Sequence, residues 1–219
     1  MTGTSTSDVT VRATMPPLRS PLSSTHTALG AVLGVEDGAE FVRSYTDSAG
    51  ESAALDEHVG IADITVRGKI DLRGSIGPAL GSAGDSLVSI ADDWALVFLP
   101  PGPVADRVTA MQAAVVDAGM ATDVTHLYAG FALAGPLLAD LVARLTSWDL
   151  STLVTGEATG APFADVRAVV VRRDAAVPLI EVYVAMEFAG YVWRSFVEVA
   201  GRLGGCPVGW DALREKGWR

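Results

Sequence analysis

The side chains that could carry chemistry in this sequence are few and widely spaced. His26, His58 and His126 have no second histidine at helical spacing and no cysteine pair beside them, so a zinc centre is not signalled. Gly68-Lys69 is followed by Ile70, not Ser or Thr, and lacks the upstream glycine of a phosphate-binding loop. Neither a dinucleotide fingerprint nor the Gly-x-Ser-x-Gly elbow of a serine hydrolase is present. Asp92 and Asp93 are adjacent, and neighbours in an extended chain face opposite ways, so they read as a solvated turn and not as an acid/base pair. Arg172-Arg173-Asp174 reads as a solvated connection, with the alternative that the arginine pair meets a carboxylate ligand. Of the tryptophans, Trp210 and Trp218 are candidates for an interface.

Composition narrows the field further. With 219 residues, 49% of them hydrophobic, the chain can bury a substantial core. A formal charge of −10 argues against nucleic acid as a partner, because phosphate neutralisation needs a basic footprint. No apolar run approaches the length of a membrane-spanning helix, so no membrane partner is expected. Cys206 is the single cysteine, which excludes an intrachain disulfide and points to a cytoplasmic setting. Residues 1–19 read as a flexible leader without a signal-peptide block, and 20–219 as the folded domain.

The elements that must position any site follow from periodicity. Ser20 to Gly34 suggests a short helix or turn, Glu40 to Tyr45 an edge strand, and Ala53 to Val59 a helix. Ile61 to Val66 and Lys69 to Leu72 read as two strands of a hairpin, and Gly74 to Gly84 as a linker-like seam. Ser86 to Ile90 and Trp94 to Leu99 are strands. Val104, Val108, Met111 and Val115 predict an amphipathic helix from about Pro103 to Gly119. A strand at Thr125 to Ala132, a helix through Leu137 to Leu145, strands at Asp165 to Val171 and Leu179 to Val184, and a helix bearing Phe188 to Leu203 complete the order. Paired strands alternating with single helices predict an α+β fold, with antiparallel sheets covered by helices in ferredoxin-like split β-α-β units.

The run from Glu57 to Gly74 resembles the early signature of the glycine cleavage T-protein (aminomethyltransferase) superfamily. In that signature Glu-His leads to a Gly-hydrophobic-x-Asp strand, then to Gly-Lys-Ile and a second strand ending in Gly. Phe131 to Pro136 is similar to that family's strand ending in Gly-Pro, and Pro207 to Arg214 to its Pro-x-Gly-x-x-Ala segment. The resemblance implies a folate-binding domain without the C-terminal barrel. It leaves Asp85 as the near-equivalent of the catalytic aspartate, Glu181 as the remaining pterin-binding acid and Arg214 as a carboxylate partner.

A short relative of this kind looks most like the gamma subunit of heterotetrameric sarcosine oxidase. That likeness implies an accessory subunit of a folate-linked oxidoreductase or demethylase complex, docked on larger flavoprotein or folate-binding chains. The flavin would then lie on partner chains, with tetrahydrofolate as the folate and a methylated amine as the substrate of the complex. The alternatives are a stand-alone tetrahydrofolate-dependent aminomethyl- or methyl-transferase and a non-enzymatic folate-binding module.

Overall fold

The computed structural model describes residues 16–75 and 86–219. Residues 1–15 of the expected leader, residues 76–84 of the expected seam, and Asp85 lie outside the described residues. Leu18 is bridged to Ala39, and Arg19 is ion-paired to Glu40 at 3.2 Å.

Among the described residues the strands form three sheets. β1 (Val32–Glu36) and β2 (Ala39–Ser44) make a small hairpin. A six-stranded sheet runs in the order β12 (Cys206–Pro207), β3 (Gly60–Asp63), β8 (Tyr128–Ala134), β11 (Leu179–Ala185), β10 (Val166–Arg173) and β9 (Ala158–Phe163). All its pairings are antiparallel except β12 with β3. An antiparallel four-stranded sheet runs β5 (Ser86–Ala91), β6 (Trp94–Leu99), β4 (Gly68–Ser75) and β7 (Val116–Asp123).

The sheets pack face to face with helices outside. α4 (Leu138–Leu145) and α5 (Ala189–Arg202) place Leu141, Val142, Val192 and Phe196 against Ile61, Phe131, Ile180 and Val182 of the six-stranded sheet. The opposite face of that sheet puts Ala132, Val171 and Tyr183 against Leu96 and Phe98 of β6. Ala95, Val97 and Leu99 alternate with these and face α3 (Ala105–Ala114) through Met111. α2 (Ser48–Glu57), capped by the Asp47 carboxylate on the Gly50 N–H at 2.7 Å, leads into β3, and α6 (Trp210–Glu215) packs beside it. α1 (Ser23–Ala28) seals the end near β3. The architecture is α+β, antiparallel sheets covered by helices, as the sequence predicts.

Several sequence expectations are corrected. The two strands expected as a hairpin, β3 and β4, belong to different sheets. Residues 59–70 are buried throughout, and strands buried on both faces need partners on both sides, which a two-stranded hairpin cannot supply. The helix expected to reach Gly119 stops at Ala114, because Val115 is extended (φ −75°, ψ 131°) and leads into β7 at Val116. Trp210 and Trp218 are core residues, 1% and 5% exposed, rather than interface residues.

Candidate functional site

The chain crosses from one sheet to the other through residues 63–69, and alternate positions of that run, Asp63, Thr65, Arg67 and Lys69, are polar and buried. Burying such groups is costly unless each is hydrogen-bonded, so their partners define what the interior can do.

Asp63 centres the first cluster. Its Oδ2 accepts from the Ser20 hydroxyl and, at 2.8 Å, from His26 Nε2, while Oδ1 accepts from the Thr65 N–H at 2.8 Å. The Trp210 indole donates to the Asp63 carbonyl at 2.8 Å. Tyr45 Oη lies 2.7 Å from His26 Nδ1, and the Trp193 ring meets the imidazole edge-on at 4.9 Å. Burial alone would raise the Asp63 carboxyl, but His26, Ser20 and Thr65 outweigh it and keep the pKa below the usual carboxylate range. Burial, reinforced by Asp63 and Glu51, pushes the Tyr45 phenol above its ordinary value, so it stays neutral. The cavity beside this cluster, about 10 Å³, is lined by Ser20, His26, Glu40 and Asp63 among others and has room for a single water.

Glu181 centres the second cluster and is fully buried. Oε1 accepts from Arg67 Nη1 at 2.6 Å and from the Trp218 indole at 2.7 Å. Oε2 accepts from Arg173 Nε at 2.8 Å and Nη2 at 2.5 Å, and from the Tyr183 hydroxyl at 2.8 Å. Burial opposes the ionised form, but Arg67 and Arg173 overcome it and bring the pKa to about 2. Tyr183 is pushed above its ordinary value by burial and then by the Glu181 charge, and its ring stacks on Phe98 at 4.2 Å.

Lys69 lies between the clusters and donates to the carbonyls of Thr65 at 2.7 Å and Arg67 at 3.0 Å. Burial lowers its pKa to about 7; attraction to Asp63 does not restore it, and Arg67 adds repulsion.

Glu51, 1% exposed, accepts from the N–H groups of Tyr45, of Thr46 at 2.8 Å and of Gly209 at 2.6 Å, which ties β2, α2 and the chain after β12 together. Gly209 must be glycine there, because a Cβ would stand 1.9 Å from the Arg43 carbonyl oxygen. Gly135, at φ +132°, likewise packs on the His58 carbonyl, where a Cβ would come within 2.4 Å.

Of the residues predicted from sequence, Glu181 is at the buried centre of the second cluster. Arg214 is on α6, its Nη2 donating to Glu36 at 2.8 Å and its guanidinium 5.4 Å from the ring centres of both Phe41 and Trp210. It is linked to the Glu181 cluster through the 4.9 Å contact of Trp210 with Trp218. Arg173, read from sequence as solvated, is committed to Glu181 with its side chain 13% exposed. Beside it a cleft of about 550 Å³ is lined by Arg172, Asp174 and Trp218 among others. Sequence reading missed Arg67, Lys69, Asp63, His26 and Tyr45 as one interior system; the signal was the alternation of polar residues inside an otherwise apolar run.

Comparison with known proteins agrees with this architecture. No protein-family model matches the chain. It is 26% identical to the aminomethyltransferase of Saccharopolyspora erythraea over 92% of its own length and 58% of the relative's. Among solved structures it is similar to the glycine cleavage system aminomethyltransferase T of Bartonella henselae, with a TM-score of 0.72 and 16% identity, over 90% of this chain and 61% of that one. It is also similar to a chain of heterotetrameric sarcosine oxidase from Corynebacterium sp. U-96, with a TM-score of 0.60 and 15% identity, over 73% of this chain and 93% of that one. The chain thus spans about 60% of the length of the aminomethyltransferases that it matches. Over most of its length the chain is therefore similar in sequence to an aminomethyltransferase, and it shares its fold with part of a glycine cleavage T-protein and with a chain of a sarcosine oxidase.

Proposed function

We propose that the protein is a cytoplasmic accessory subunit of a folate-linked oxidoreductase or demethylase complex of one-carbon metabolism, its functional unit spanning residues 20–219 with a seam at 74–84. The flavin would lie on larger partner chains, and a methylated amine would be the substrate of the complex. The observation that carries this reading is the state of Glu181. Five donor groups already serve its two oxygens, so a pterin reaching it would have to displace an arginine, the Tyr183 hydroxyl or the Trp218 indole. The residues around Glu181 therefore do not fit tetrahydrofolate as they stand. The likeness to a chain of a sarcosine oxidase heterotetramer supports the same reading. Affinity purification from the native host, with a flavin absorbance scan and an amine-oxidation assay of the eluate, tests it. Co-elution with flavin-bearing chains that oxidise a methylated amine is expected. Elution without flavin, together with tetrahydrofolate-dependent aminomethyl transfer by the protein itself, overturns the reading.

The match to an aminomethyltransferase over most of the chain favours a second reading, a stand-alone tetrahydrofolate-dependent aminomethyl- or methyl-transferase. In that case Asp85 orients the folate amine, Glu181 takes the pterin and Arg214 meets a carboxylate. Turnover lost in Asp85→Asn with the fold retained would support it; unchanged turnover would remove Asp85 from that role.

A further inference from the structure

We propose that the cleft between the two sheets, beside the β5–β6 turn, binds a small planar aromatic carboxylate, with Arg167 meeting the carboxylate group. The floor of the cleft is set by strand register. Val169 pairs with Gly160 on one side and Tyr183 on the other, and Ala185 pairs with Tyr128, so these residues share the face turned to the four-stranded sheet. Gly160 and Ala185 contribute almost no side-chain volume to that face, and a Cβ at Gly160 would meet nothing within 4 Å. The opposite wall comes from Ile90, Ala91 and Trp94. What remains is a cleft of about 470 Å³, a size suited to a small ligand.

Its chemistry is lopsided. The walls are apolar and aromatic, and Phe188 at the cleft is 41% exposed although it is a large hydrophobe. The polar contribution centres on Arg167. The neighbouring Arg73 is spent on Asp71 at 2.8 Å and lies 4.2 Å from the Trp94 ring centre, and the Trp94 indole donates to Asp71 at 2.6 Å. Arg167 has no hydrogen-bond or ion-pair partner among the described residues, although it is close enough for its charge to bear on the Tyr128 phenol. One uncommitted guanidinium on an aromatic-walled slot is the complement of a flat ring bearing a single carboxylate; a phosphate, with more charge to satisfy, would find a lone cation. This inference is independent of the accessory-subunit reading.

Titration of the whole protein with 2-naphthoate, followed by tryptophan fluorescence and calorimetry and compared with the neutral 2-naphthamide, tests it. Saturable binding of 2-naphthoate is expected. Arg167→Gln should weaken 2-naphthoate about tenfold and leave 2-naphthamide unchanged, since the variant removes only the charge-assisted hydrogen bond. Gly160→Leu fills the floor and should abolish binding of both probes with the melting temperature retained. Ala91→Phe, which blocks the cleft from the other wall, should do the same if Gly160→Leu does not fold. No saturable binding to the wild type, full binding to the filled variants, or unchanged 2-naphthoate affinity in Arg167→Gln overturns the proposal.

Discussion

Trp218 donates its indole N–H to Oε1 of Glu181, a residue 37 positions earlier, at 2.7 Å. The same oxygen takes Arg67 from the crossing between the sheets. One carboxylate therefore pins the junction of the two sheets, strand β10 through Arg173, and residue 218. Such a group acts as a structural centre, and its loss should be felt globally.

Glu181→Gln keeps the shape but leaves Arg67 and Arg173 buried without a countercharge. Breaking a buried pair from one side costs about 3–5 kcal/mol. Urea denaturation should show a loss of that order, whereas Trp218→Phe, which removes one donor, should cost about 1–3 kcal/mol. Equal and small losses in both variants would contradict the placement of Glu181 at the centre.

Acid should act through the same carboxylate. The Glu181 pKa is lowered from 4.5 to about 2, so the unfolded chain takes up this proton first. Its stabilising contribution is complete above about pH 4.5 and is lost as pH falls towards 2. The lowered Asp63 pKa acts in the same direction. Unfolding free energy measured against pH should fall across that window, and Glu181→Gln should flatten the fall.

Lys69 gives a slope of the same sign in a neutral-to-alkaline window, through a penalty relieved and not a contribution gained. Its folded pKa, about 7, lies below the ordinary 10.5, so between these values the unfolded chain binds the extra proton. Charged Lys69 is penalised in the fold below pH 7, and the penalty is relieved as pH rises from about 7 towards 10. Stability should increase over that range in the wild type and stay level in Lys69→Met, which should be the more stable protein at pH 6. A wild type without the rise would contradict the burial of this amine.

Glycine substitutions separate packing from propensity. Gly209→Ala would drive a methyl into the Arg43 carbonyl and disturb the Glu51 contact, at an expected cost of about 3 kcal/mol. Gly201→Ala, inside α5 with nothing within 4 Å of the new methyl, should stabilise by about 0.5–1 kcal/mol. Thermal melts of the two variants should move in opposite directions.

The layer architecture was legible because the strongest patterns, the stripe on α4, the stripe on α5 and the β5–β6 pair, depend on local periodicity. β9 was not legible: Gly160 and Pro162 break its strand pattern, and such residues are tolerated because β9 is an edge strand. β7 was hidden by an apolar spacing that continued the stripe of α3 through Val115. At the site, sequence singled out Glu181 but not its partners. Arg67 lies 114 residues away, and neither residue carries a local sign that it will be buried. The Asp63 cluster escaped because His26, 37 residues upstream, was weighed as a metal ligand and not as a buried hydrogen-bonding group.

The most direct test of the central claim, that Glu181 serves the fold and is not open to a ligand, is its carboxyl resonance in protein carrying ¹³C-labelled glutamate, assigned by comparison with Glu181→Gln and followed during a tetrahydrofolate titration. The resonance should stay in place at saturating tetrahydrofolate. A saturable shift would show the pterin reaching Glu181, contradict the account and favour the transferase.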